Sequence, residues 1–95
     1  AVLAVGTSMV PAGLCQGYLC FCSPHDQPLA GDAVFIERMD GKASIKLFLS
    51  AGPEWVNVKG WLDADPNGHQ EPYFEDIKRT QIKRLAPVIY VKRKL

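Results

Sequence analysis

The chain has 95 residues, a formal net charge of +1 and an apolar fraction of 47%. These values fit one globular domain with its own core, and the near-neutral balance points to no particular charged partner. No apolar run approaches the about 20 residues of a membrane-spanning helix.

Short apolar runs rich in β-branched and aromatic residues, separated by turn residues, predict strands rather than helices. The predicted strands are Val2–Val5, Tyr18–Cys22, Ala33–Arg38, Ala43–Leu49, Trp55–Leu62 and Ala86–Lys92. The pair Asp40-Gly41 predicts a hairpin turn between two of them.

The segments between these strands are rich in turn residues. Segments 23–32 and 63–73 read as loops because of their Pro, Gly, Asn and Asp content. Segment 74–84 is compatible with one helical turn or with a short edge strand. Residues 1–95 are therefore expected to form one mostly β domain of antiparallel strands and hairpins with little helix.

Ser8 lies in the small-residue stretch AVGTSMVPAG, directly after an apolar run. A serine there either caps a turn or serves as a nucleophile, and a nucleophilic serine needs a base to take its proton. His25 and His69 are the histidine candidates, but no neighbour in sequence orients either ring. Their spacing to Ser8 does not support a Ser-His-Asp triad, so they are interpreted as solvated loop residues.

Lys46 is the other candidate base, because it stands inside the apolar stretch KASIKLFLSAG. Strand alternation places Lys46 on one face with Ser44 and Phe48, and places Ile45 and Leu47 on the other face. Pattern alone favours a lysine that points to solvent. A lysine lying against apolar surface instead loses hydration, and its neutral amine is then available as a base.

Three cysteines, Cys15, Cys20 and Cys22, crowd into one segment. Their odd number argues against a disulfide framework and for a reducing compartment. Their spacing lacks the paired pattern of a zinc site, so they are interpreted as small buried apolar residues.

Two further patterns have plain alternatives. DADPNG, residues 63–68, matches the opening of a calcium loop, but the closing acid is displaced to Glu75, so a simple turn is favoured.

Most of the 11 lysines and arginines lie between Lys78 and Lys94. This basic segment reads as a solvated strand edge protected against aggregation, with nucleic-acid contact as the alternative.

The stretches VGTSMVP and GDAVFIERMDGKASIKLFL together resemble the C-terminal domain of the LexA repressor and of self-cleaving phage repressors. That family carries a G-x-S-M motif, often with a proline two places after the methionine. A later strand carries a lysine between apolar residues, at about the separation of Ser8 and Lys46. The tail IKRLAPVIYVKRK is similar to the closing strand of the family.

The resemblance implies a LexA-like serine peptidase domain in which Ser8 is the nucleophile and Lys46 the general base of a Ser-Lys dyad. Such a pair is expected within hydrogen-bond reach, at about 3 Å. The backbone N–H groups of Ser8 and Thr7 would bind the oxyanion. No cofactor or metal is implied.

The same resemblance implies a cytoplasmic homodimer that cleaves its own linker to relieve repression, with a recombinase filament as a possible trigger. DNA contact would belong to an N-terminal domain outside residues 1–95, and we expect the scissile bond to lie upstream of Ser8 as well. Two alternatives stay open. One is a dimerisation module that cleaves slowly or not at all, and the other is a signal-peptidase-like membrane enzyme with the same dyad.

Overall fold

The structure, a computed structural model, describes residues 2–4, 6 and 8–93. Within these residues, seven strands form one antiparallel sheet in the order β1-β2-β7-β3-β4-β5-β6. The strands are β1 (Val2–Leu3), β2 (Leu19–Cys22), β3 (Ala33–Arg38), β4 (Ala43–Ala51), β5 (Trp55–Trp61), β6 (Pro72–Lys78) and β7 (Ile82–Lys92). The prediction of a mostly β domain built from antiparallel strands is confirmed.

The strand bounds follow the apolar runs closely. β3 has the predicted bounds, and β2 and β5 differ from the prediction by one residue at one end. β4 continues to Ala51, and β7 begins at Ile82 rather than at Ala86. β1 is shorter than predicted because Ala4 lies outside the strand, and Val5 lies outside the described residues.

Segment 74–84, for which the sequence predicts either one helical turn or a short edge strand, contains one of each. β6 covers its first part, and a 3-10 turn at Arg79–Gln81 follows directly. The loop prediction for 63–73 is wrong at its end, because Pro72 and Tyr73 pair with Trp61 and Gly60 of β5. A second 3-10 turn, at Val10–Ala12, was not expected from the sequence.

The hairpin between β3 and β4 forms at the predicted Asp40-Gly41 turn. Gly41 has a φ of +90°, a left-handed conformation that glycine adopts without steric cost. The N–H of Gly41 donates to the carbonyl of Arg38 over 3.0 Å, and the carboxylate of Asp40 accepts from the N–H of Lys42 over 2.9 Å. This turn sets the register that pairs Val34 with Lys46.

The sheet carries apolar clusters on both faces. The first core consists of Val34, Ile36, Phe48, Val56, Val58 and Ile77. The second core consists of Ala4, Met9, Leu14 and Cys20, and partly buried residues that include Ile45 and Leu47 pack against it. The predicted alternation along β4 is therefore confirmed, because Phe48 contributes to one core while Ile45 and Leu47 contact the other.

The two cores are connected through β7, the longest strand. Its first part pairs with β3, over register positions that include Leu85–Ile36 and Pro87–Val34. Its last part pairs with β2, including Val91 opposite Cys20. One strand thus joins the part of the sheet that carries the first core to the part that supports the N-terminal segment.

Truncation of Ile36 tests the first core. Ile36 is fully buried, so Ile36→Ala removes apolar contacts and leaves a cavity, and we expect the free energy of unfolding to fall by about 2–5 kcal/mol. Urea denaturation followed by circular dichroism measures the change. Leu29→Ala is the matched control, because Leu29 is 71% exposed and its truncation should change stability by less than about 0.5 kcal/mol.

Candidate Ser-Lys active site

Lys46 is buried, with 8% of its surface exposed. The interpretation from pattern alone, a lysine pointing to solvent, is wrong because both faces of β4 are covered. Phe48, on the same face as Lys46, belongs to the first core, and Ile45 on the other face packs against the second core. The alternative, a lysine held against apolar surface, is the arrangement that the structure contains.

The amine of Lys46 has a specific polar partner. Its Nζ donates a hydrogen bond to the hydroxyl of Tyr73 and lies 4.8 Å from the centre of the tyrosine ring. Tyr73 stands on β6, two strands away from β4 in the sheet. The side chain of Tyr73 therefore crosses the intervening strand β5 to reach the lysine.

Gly60 of β5 leaves the space for this crossing. Tyr73 is the register partner of Gly60, and Leu47 of β4 is the register partner of Lys59. Continuing that register by one residue sets Lys46 level with Gly60. A Cβ atom at Gly60 would lie 2.7 Å from the hydroxyl oxygen of Tyr73, so only glycine leaves the tyrosine in this position.

Ser8 is docked at the same end of the β4–β5 ladder. The N–H of Trp61, the residue after Gly60, donates to the carbonyl of Ser8 over 2.9 Å. The described pairing of β4 with β5 extends from Leu47–Lys59 to Ala51–Val56, next to the turn that joins the two strands. Beyond Lys59, the N–H of Trp61 bonds the Ser8 segment instead of β4. Ser8 thus lies about one residue beyond the level of Lys46.

The backbone around Ser8 is held on both sides. Gly6 has a φ of +80°, which favours glycine just before the serine. Met9, directly after the serine, is buried in the second core, and its carbonyl accepts from the N–H groups of Ala12 and Leu14. The turn that the sequence suggested around Ser8 is therefore anchored by packing as well as by hydrogen bonds.

Ser8 opens onto a cleft of about 430 Å³. The described residues that line it with Ser8 are Val2, Gly6, Met9, Leu14, Phe35, Ala43, Ser44 and Ile45. Ser44 and Ile45 come just before Lys46 on β4. The cleft is thus bounded by the turn that carries the serine and by the start of β4, while Lys46 itself is not among the described residues that line it.

The described residues contain no hydrogen bond between Ser8 and Lys46, and the hydrogen bond that the amine makes is to Tyr73. The expected contact at about 3 Å is therefore not part of this structure, and the dyad stays a prediction. Thr7 lies outside the described residues. The assignment of an oxyanion site to the N–H groups of Thr7 and Ser8 also stays a prediction.

The histidine and calcium alternatives have local explanations. His69 pairs with Glu71 over 2.8 Å, so the expectation that no neighbour in sequence orients its ring is wrong, and His25 lies in an exposed loop. Neither is among the described residues that line the Ser8 cleft.

The calcium-loop pattern at 63–68 forms a turn. The carboxylate of Asp65 accepts hydrogen bonds from the N–H groups of Asn67 and His69 over 2.9 Å each, which is the hydrogen bonding of a plain turn.

One of the three cysteines packs behind the Ser8 segment. Cys20 is fully buried in the second core beside Met9, which confirms its interpretation as a buried apolar residue, and Cys15 and Cys22 are half-buried. Burial raises the pKa of the Cys20 thiol, and the nearby Cys22 raises it further. Burial also raises the pKa of Cys22.

Tyr73 was missed because the sequence placed it in a loop. Two signals were available. Gly60 inside a strand indicates a close approach by another group. The aromatic and β-branched residues Tyr73, Phe74 and Ile77 are also types enriched in strands.

Comparison with protein-family models, curated proteins and solved structures found no match for this chain. Among the described residues, none of the helical segments has the length and apolar character needed to cross a membrane.

Thiol alkylation tests the packing behind Ser8. At neutral pH, iodoacetamide should modify Cys20 far more slowly than a free cysteine, because the raised pKa lowers the thiolate fraction and burial blocks access. Peptide mass spectrometry after timed alkylation measures the rate. Urea-unfolded protein is the control, and equal rates in the folded and unfolded states would contradict the buried position of Cys20.

Proposed function

We propose that this chain is the self-cleaving and dimerising domain of a LexA-type or phage-type repressor, with Ser8 as nucleophile and Lys46 as general base. The observation that carries the proposal is a lysine buried at the end of the β4–β5 ladder, where the carbonyl of Ser8 is bound by Trp61. A buried lysine is costly unless it is partnered or used.

The proposed chemistry is acyl transfer. The neutral amine of Lys46 takes the proton of the Ser8 hydroxyl while Oγ attacks the carbonyl carbon of the peptide to be cut. The N–H groups of Ser8 and Thr7 stabilise the oxyanion. The resulting ammonium then returns the proton to the leaving amine, and water hydrolyses the acyl-serine. A lysine base has no tautomer to be fixed, so a third residue is not required.

The proposed substrate is a linker of the same protein. A linker joined to the domain reaches the cleft at high effective concentration, which suits a slow dyad. Two DNA-reading domains tethered by a dimer bind an operator more tightly than one, so a single cut relieves repression. In this proposal the protein acts in the cytoplasm, DNA contact belongs to the N-terminal domain, and a recombinase filament acts as the trigger.

Self-cleavage of the full-length protein tests the dyad. Only the neutral amine accepts a proton, so the rate should rise with pH, and Ser8→Ala and Lys46→Ala should each abolish cleavage while the fold is retained. Gel electrophoresis across neutral to alkaline pH measures the rate. The exposed Lys42→Ala is the matched control and should cleave normally. Cleavage of Lys46→Ala at the parent rate would exclude the dyad.

A dimerisation module without fast cleavage is the second candidate. The hydrogen bond from Lys46 to Tyr73, rather than to Ser8, favours it. In that case the fold and the dimer interface are kept, and the full-length protein shows no cleavage dependent on Ser8. The pH series above separates the two candidates.

We place the dimer contact on the C-terminal half of β7. Ile89 is 64% exposed and Tyr90 is 60% exposed, and the ring of Tyr90 stacks at a tilt on Phe21 of β2, with centroids 5.5 Å apart. Phe21 and Tyr90 thus form an exposed aromatic pair, Ile89 precedes Tyr90 on β7, and Lys92 and Arg93 follow in sequence. Closed two-fold dimers are the commonest way to cover such a patch.

Sedimentation tests the dimer. The chain should sediment as a dimer at tens of micromolar, a range in which a micromolar affinity is still detected. Ile89→Asp should shift it to monomer, because the carboxylate would be desolvated in the contact. Leu29→Asp, an equally exposed site elsewhere, is the control. A monomer for the parent chain at these concentrations would exclude the proposed contact.

A further inference from the structure

We propose that the Ser8 cleft continues across β3 and β7 into a second cleft, and that the two form one groove that binds an extended peptide. The groove selects a carboxylate side chain in that peptide, because Lys83 and Arg84 lie at its far end. The inference rests on the proposed function, which supplies the peptide as substrate, and it adds the residue type that the substrate carries away from the cut.

The two clefts meet at shared walls. The second cleft has a volume of about 450 Å³, and Val2 and Phe35 line it as they line the Ser8 cleft. Its other described lining residues are Cys22, Pro24, Lys83, Arg84, Leu85 and Ala86. A peptide that leaves the Ser8 cleft past Phe35 therefore enters the second cleft.

Strand register gives the groove a continuous floor. Phe35 of β3 is the register partner of Ile45 of β4 and of Ala86 of β7, and directly paired residues share a face of the sheet. Neighbouring strands lie about 4.8 Å apart, so the row from Ile45 to Ala86 spans about 10 Å. An extended peptide rises about 3.3 Å per residue and crosses this row in about three residues. The selected carboxylate therefore stands at least about three residues from the side chain that contacts Ile45.

A bulge brings the two basic residues to the far end of the groove. Glu37 pairs with Arg84 and Arg38 pairs with Ile82, so Lys83 is an extra residue of β7 between two pairs. Strict alternation would place Lys83 and Arg84 on opposite faces, but a bulge re-aims side chains and interrupts the alternation. Both residues line the second cleft.

The charge at this end favours an anion. Nε of Arg84 lies 3.3 Å from a carboxylate oxygen of Glu37, and the arginine side chain stays 70% exposed. Lys83 makes no ion pair with any described residue. No Asp or Glu is among the described residues that line the second cleft. Two cations beside one carboxylate therefore leave an excess of positive charge for the carboxylate of a ligand.

The rest of the groove favours a peptide over a polyanion. Phe35, Ile45 and Ala86 present apolar surface, and no Lys or Arg is among the described residues that line the Ser8 cleft. A nucleic-acid strand needs cations along its whole backbone, whereas a peptide with one acidic side chain needs them at one end.

Peptide binding to the Ser8→Ala chain tests the groove without requiring catalysis. The probes are fluorescein-labelled peptides of about ten residues, long enough to span both clefts, built from alanine, valine and serine with one glutamate. The glutamate stands near the N-terminus in one peptide and near the C-terminus in another, which covers both chain directions. Matched peptides carry glutamine in its place. Fluorescence anisotropy gives Kd, and circular dichroism establishes that each variant is folded.

We expect one of the glutamate peptides to bind about fivefold more tightly than its glutamine counterpart, the effect of about one favourable exposed ion pair. The preference should weaken as salt is added. The double variant Lys83→Glu with Arg84→Glu should lose the preference and bind more tightly the peptide that carries lysine at that place. Lys78→Glu is the matched control, because Lys78 is exposed on β6 and is not among the described residues that line either cleft.

Cysteine alkylation locates the bound peptide. Cys22 lines the second cleft, whereas Cys15 is not among the described lining residues of either cleft, and both are half-buried. With the glutamate peptide at about five times its Kd, the iodoacetamide rate at Cys22 should fall about sixfold, and the rate at Cys15 should not change. Peptide mass spectrometry after timed alkylation measures both rates in one sample.

The outcomes separate the groove from the dyad. Equal Kd values for the glutamate and glutamine peptides, absence of saturable binding, or an unprotected Cys22 would each overturn the groove and leave the self-cleavage test of the dyad untouched. A single-stranded oligonucleotide of the same length that binds more tightly than the glutamate peptide would also overturn it. If the glutamate preference and the protection of Cys22 hold but the full-length protein does not cleave itself at any pH, the groove stands as a peptide-binding site and the proposed peptidase function is wrong.

Discussion

A lysine buried on the face of β4 is the constraint around which this structure is arranged. Removing an ammonium from water is costly, so a buried lysine needs a polar partner or must be neutral. Lys46 has its partner in Tyr73, and Tyr73 reaches it because β5 carries glycine at position 60. Three neighbouring strands therefore depend on one another at this level of the sheet. β4 supplies the amine of Lys46, β5 supplies Gly60, which has no side chain, and β6 supplies the phenol of Tyr73.

The two cores hold Lys46, Gly60 and Tyr73 in place. The first core packs the face that carries Lys46, and the second core packs the opposite face and anchors Met9, the residue after Ser8. The serine is thus placed by side chains that belong to a different core from the one beside the lysine. β4 therefore stands between the core that anchors the serine turn and the core beside the lysine. The proposed chemistry needs little beyond this, since a lysine base requires no third group to orient it.

The hydrogen bond between Lys46 and Tyr73 also explains how a buried lysine is tolerated whether or not the domain cleaves. In a peptidase, the tyrosine accepts one N–H of the amine and leaves its lone pair for the serine. In a dimerisation module, the same bond satisfies the amine permanently. The contact is therefore compatible with both proposed functions, because an amine that donates one N–H to Tyr73 keeps its other positions for a second partner.

Local patterns in the sequence were sufficient for the strands, the Asp40-Gly41 hairpin and the division of β4 into two faces, because each depends on residues within a few positions. The resemblance in the sequence also singled out Ser8 and Lys46. The tertiary structure alone decided that the Lys46 face is covered, that Tyr73 belongs to a strand, and that Trp61 binds the carbonyl of Ser8. These features join residues far apart in the chain. Their contact depends on strand order and register, which no short stretch of sequence specifies.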